Sequence, residues 1–149
     1  MEEVMEQPKI YFPAVLVAAV IQFVFGWGWY MAFISVWQEG SGVSMEMMQQ
    51  MTGGEMAMAY AGSLAAYFVV YYVMAHFVSY TKSTTAKQGA QTGFWLWLGF
   101  VATTLFVTYS YSMKPFSLWL VDAGYWLISM IIGGILLAVW KKKEAAASA

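Results

Sequence analysis

The chain contains no cysteine and no arginine, only three prolines, and charged side chains make up 10% of its 149 residues. Without cysteine there is no disulfide, no thiolate metal site and no thiol redox chemistry. Without arginine the chain lacks the planar fork that grips phosphate or carboxylate through two hydrogen bonds, and no nucleic-acid partner is expected. A single histidine, His76, cannot complete a bis-histidine haem or a zinc site. With 61% hydrophobic residues beside so few ionic groups, the chain cannot solvate a globular surface of its size.

What the chain does have is four apolar runs, at about 13–36, 57–80, 89–111 and 118–140, none with an internal proline. A helix crossing the hydrocarbon core needs about 20 residues. Unpaired backbone groups in lipid cost several kcal/mol each, which helices avoid and open strands do not. The predicted fold is therefore all-α: an integral-membrane bundle of four transmembrane helices forming a single domain, 1–149. The amino end carries Glu2, Glu3 and Glu6 where a cleaved signal would be basic, and the first run exceeds a signal's apolar core. That run is expected to remain as the first span.

Lysine placement sets the expected orientation. Lys9, Lys82, Lys87, Lys141, Lys142 and Lys143 fall on one side of an even-span bundle and Lys114 alone on the other. By the positive-inside rule both termini face the cytoplasm. Aromatics fit the same frame. Trp27, Trp29, Tyr30, Tyr109 and Trp126 crowd the outer half, while Tyr11, Tyr80 and Trp140 mark the inner boundary.

The first outer loop has an internal pattern. Ser44 is placed to cap a short interfacial helix carrying Met45, Met47, Met48 and Met51. Soft thioethers suit Cu(I), which makes these four the only metal candidates; filling of an irregular apolar surface is the preferred reading. Small residues at close helical spacing mark candidate helix contacts: Ala59, Gly62, Ser63 and Ala66 in the second span, Gly89 and Gly93 in the third, Gly133 and Gly134 in the fourth. They serve either packing within one chain or self-association.

Five residues are polar and buried in apolar sequence: Gln22, His76, Thr103, Thr104 and Asp122. Gln22 lies at mid-depth with Thr103 and Thr104, so a hydrogen bond between the first and third spans is expected. Asp122 is placed about one turn inside the outer boundary and His76 one turn from the inner end. At 1.5 Å per residue the two lie roughly 20 Å apart, too far for one acid–base pair. An intramembrane carboxylate is a functional candidate by default.

The run from Ala14 to Ala19 with Gly26 and Trp29-Tyr30, the stretch from Leu96 to Thr104, and Asp122-Ala123-Gly124-Tyr125-Trp126-Leu127 together resemble the bacterial membrane family known as domain of unknown function 1761. The resemblance runs from about residue 13 to 140. It implies a four-span protein of the bacterial inner membrane, with no activity and no catalytic residues to carry over.

The reading that follows is a non-enzymatic accessory component without a cofactor, which associates with itself or with another membrane complex. The alternative is a small channel or carrier in which Asp122, Gln22, Thr103 and Thr104 line a polar path. Four uninterrupted spans leave little room for an internal site, so that alternative is expected to need an oligomer.

Overall fold

The computed structural model describes residues 8–149, side chains excepted at 141–146. Glu2, Glu3, Glu6 and the side chains of Lys141, Lys142 and Lys143 lie outside the described residues. Every regular element described is helical. Helix α1 spans Phe12–Ala32 and starts with proline in its first turn, where the missing N–H is harmless. It breaks at Phe33, and α2 (Ile34–Ser41) follows, closed by Gly42 in the left-handed conformation with φ 79°. Helix α3 (Met45–Gln49) is capped by Ser44, whose Oγ accepts the Met47 N–H at 3.1 Å.

The longer helices start with reciprocal caps. Thr52 and Glu55 form a capping box at the head of α4 (Gly53–Tyr80), and Thr85 and Gln88 form another at the head of α5 (Ala86–Leu96). A π-helical segment, Trp97–Ala102, joins α5 to α6 (Thr103–Tyr111), and α7 covers Phe116–Ala147. Four stretches are long and apolar enough to cross a membrane: Phe12–Ala32, Gly53–Tyr80, Ala86–Tyr111 and Phe116–Trp140.

Two expectations are corrected here. The first span does not run on to residue 36 but breaks at Phe33. The third is not uninterrupted, because its middle widens into the π segment. The second and third also begin several residues before their apolar runs, since the capping boxes extend helical hydrogen bonding into polar sequence.

Helix α7 is the centre of the molecule, with α1, α2, α4, α5 and α6 all packed on it. Its closest partner is α5. A Cβ on Gly89 would stand 2.7 Å from the Gly134 carbonyl carbon and 2.8 Å from Ala138 Cβ, and one on Gly93 would strike the Met130 backbone. Glycine at these positions is what lets the two backbones touch, which is how helices gain contact in lipid. Gly133 makes room for the Tyr71 ring, whose hydroxyl donates to the Ser129 carbonyl at 2.9 Å.

On its other side α7 meets α1 and α4 in a core of Ala14, Val15, Ala18, Tyr71, Met74 and Leu137. Tyr11 packs on Trp140 with ring centroids 5.9 Å apart, so the chain enters the first span and leaves the fourth at one end. At the opposite end the packing opens.

Candidate functional site: a carboxylate in an aromatic cavity

Between α1, α4, α6 and α7, beneath α2 and α3, lies a cavity of about 660 Å³. Its walls are largely aromatic, with Trp27, Tyr30, Trp37, Tyr60, Tyr67 and Trp126 among them. Asp122 is the only formally charged residue lining it. Trp27 is 59% and Tyr60 41% exposed, so the cavity opens sideways on the surface that would face lipid.

Asp122 sits about two turns into α7, deeper than the one turn expected, because the helix begins at Phe116 rather than at residue 118. It is 7% exposed. The Tyr30 hydroxyl donates to Oδ1 at 2.8 Å and the Tyr109 hydroxyl to Oδ2 at 2.6 Å. Short bonds to an ionised acceptor are roughly twice as strong as neutral ones. The carbonyls on either side of Asp122 are also held. Trp29 Nε1 donates to Val121 O at 3.0 Å and Trp97 Nε1 to Ala123 O at 2.8 Å. A helical carbonyl keeps a second lone pair after its own helix bond, so each indole adds a contact without breaking the helix.

Four aromatic donors thus converge on residues 121–123: two from α1, one from the π segment and one from α6. The convergence depends on close approach elsewhere. Gly124 leaves room for the Trp29 ring, which a Cβ would meet at 3.2 Å. Gly26 does the same for Tyr125, whose hydroxyl donates to the Gln22 carbonyl at 3.0 Å. The π segment is tied at both ends, since Trp119 Nε1 also returns from α7 to Ala102 O at 2.9 Å.

The other polar candidates are dispersed. Gln22 is buried, but the expected bond to Thr103 or Thr104 is not made: α1 packs on α4 and α7, and both threonines are exposed, with Thr103 Oγ1 donating to Gly99 O at 2.9 Å. Instead, both Gln22 amide atoms and the Ser129 hydroxyl lie buried without a partner around a void of about 10 Å³, the size of one water. His76 is near the other end, its Nδ1 2.9 Å from the Tyr72 carbonyl and its ring edge-on to Tyr72. Within α4, Ala59, Gly62 and Ala66 are exposed rather than packed in the bundle, while Ser63 lines the cavity and bonds Ala59 O at 2.8 Å. Met48 borders the cavity, whereas Met45, Met47 and Met51 are exposed. Among the described residues no cluster of three or more His, Cys, Asp or Glu side chains could hold a metal.

The expectation that an internal site requires an oligomer is also corrected, because a single chain encloses this cavity. The residues missed from sequence are Tyr30, Tyr109, Trp29 and Trp97, read as interfacial aromatics or not singled out. A signal was present: a buried carboxylate needs donors, and Tyr30 and Tyr109 lie at its depth in two other spans.

The apolar spans, the aromatic cavity and the single buried carboxylate define a small multi-pass membrane protein. Its chain belongs to the family of proteins of unknown function DUF1761, whose model matches residues 13–138. No curated protein and no solved structure matches it.

Proposed function

We propose that this protein is a non-enzymatic carrier that takes a small, largely apolar molecule from the outer half of a bacterial inner membrane into the Asp122 cavity. The observation that carries the reading is the cavity itself. Its volume falls within the roughly 300–1,000 Å³ of small-ligand sites, with apolar walls and one converging polar group. Access is lateral, through the gap beside Trp27 and Tyr60. The orientation rests on the lysines: Lys9, Lys82 and Lys87 fall at the end where Tyr11 meets Trp140, and Lys114 at the cavity end, so both termini are assigned to the cytoplasm.

The test is photolabelling of the protein in nanodiscs with a small diazirine-bearing hydrophobic probe. Label is expected on peptides carrying Trp27, Tyr60 and Trp126, and is expected to be lost in Ser63→Trp, which fills the cavity. Label spread evenly over lipid-facing helices and unchanged in that variant would refute the carrier reading.

A second reading, association with another copy or with a membrane complex as an accessory component, is favoured by α4. A Cβ on Gly62 would meet nothing within 4 Å, and Ala59 and Ala66 flank it on the same exposed face. Small exposed residues at this spacing allow a second helix to approach closely.

A further inference from the structure

We propose that the cavity selects an organic cation: a quaternary or protonated amine on an apolar body. This rests on the cavity being a binding site, and it names what that site would prefer. The argument is one of charge. Asp122 is buried, and among the described residues no basic side chain lines the cavity. The basic residue at that end, Lys114, extends instead to the Ser41 carbonyl at 2.9 Å. A carboxylate in apolar surroundings is strongly unfavourable without a compensating positive charge or proton. Tyr30 and Tyr109 soften this with one hydrogen bond to each oxygen, but hydroxyls bring no positive charge. Each carboxylate oxygen retains an unused lone pair.

The walls complete the preference. Trp27, Trp37, Tyr60, Tyr67 and Trp126 present π systems, whose electron-rich faces attract an alkylammonium far more than a neutral group of equal size. An anion would meet the carboxylate and the negative ring faces together, and a neutral solute would leave the charge uncompensated. A bare metal cation is disfavoured because the walls provide too few oxygen ligands to replace its water shell. The chemistry left is an ammonium centre against Asp122 with its hydrocarbon body on the aromatic walls. Such a centre reaches this depth either on a free lipophilic amine or on a lipid headgroup.

The test compares benzyltrimethylammonium with neopentylbenzene, the same shape with carbon in place of charged nitrogen. The protein is held in phosphatidylglycerol nanodiscs, and its indole N–H resonances are followed by NMR. Those of Trp27, Trp37 and Trp126 are expected to shift saturably with the cation, and only at tenfold or higher concentration with the neutral isostere. Asp122→Asn is expected to weaken the cation at least tenfold and leave the isostere unchanged. Nanodiscs of phosphatidylcholine separate the two sources: weaker apparent binding there assigns the site to a headgroup, and unchanged binding to a free amine. Equal binding of the two probes would overturn the cation preference while leaving the binding site intact. No saturable shift with either, or shifts at the distant Trp95 and Trp140 matching those of the cavity, would overturn both.

Discussion

Replacing Gly89 by alanine adds one methyl group to a protein of 149 residues, and the structure gives it a specific penalty. The new Cβ would lie 2.7 Å from the Gly134 carbonyl carbon and 2.8 Å from Ala138 Cβ, where carbon atoms normally rest about 3.5–4.0 Å apart. Both neighbours belong to the body of α7, so no flexible side chain can swing away. Helices α5 and α7 must part by roughly 1 Å, which forfeits about a quarter to a half of the attraction at each remaining contact along the seam. Overpacking of this kind costs about 1–3 kcal/mol, and the extent of this contact places the expected loss near the top, at about 2–3 kcal/mol. The control is Gly62→Ala, at which nothing stands within 4 Å. There the helix-propensity gain of up to about 1 kcal/mol should leave stability unchanged or improved. Reversible unfolding in mixed dodecylmaltoside and SDS micelles, followed by circular dichroism, measures both. If Gly89→Ala unfolds at the wild-type SDS fraction, or Gly62→Ala falls by as much, close backbone approach is not what holds α5 to α7.

Removing the donors to Asp122 should be felt as a coupled set: Tyr30→Phe and Tyr109→Phe are each expected to lose about 1–3 kcal/mol. Tyr109→Phe should cost less in an Asp122→Asn background, and strict additivity in a double-mutant cycle would show that the hydroxyl and carboxylate do not interact. Trp119→Phe deletes the indole bond to Ala102 and should lose about 1 kcal/mol. Faster amide exchange across Thr103–Tyr111 is the expected readout, and unchanged exchange would mean that the clamp is idle. For self-association, Gly62→Phe should convert crosslinked dimers to monomers in native membranes, and dimers that persist would remove this face from the interface. Because the chain has no cysteine, single introduced thiols report topology cleanly: Ser112→Cys should react with an impermeant maleimide in intact cells and Thr84→Cys should not. The opposite pattern would invert the assigned orientation.

The spans were legible because lipid imposes a length and an apolar composition that any reader of the chain can count. Their ends were less so, since Thr52 with Glu55 and Thr85 with Gln88 carry helix into polar sequence. Neighbour relations were the weakest point. Gln22 was matched with Thr103 and Thr104 by depth alone, yet α1 lies against α4 and α7, and nothing in one sequence fixes the order of helices around a bundle. Asp122 stood out as a carboxylate in an apolar run, but its setting did not, because tryptophan and tyrosine near a span's end have an ordinary explanation as headgroup anchors. Only the fold separates aromatics such as Tyr109, which grips the carboxylate, from exposed ones such as Tyr111. The π segment left no trace in hydropathy, since a widened turn changes hydrogen-bond partners and not residue type.

That widened turn makes the third span sensitive to chain length. Successive residues of an α-helix are set about 100° apart, so every residue added to or taken from Trp97–Ala102 turns all that follows by that angle about the axis. Tyr109 would then point away from Asp122 although its identity and depth were almost unchanged. Substitutions in this stretch can be absorbed one side chain at a time, but an insertion or deletion would dismantle the cavity wall while leaving the span hydrophobic enough to insert.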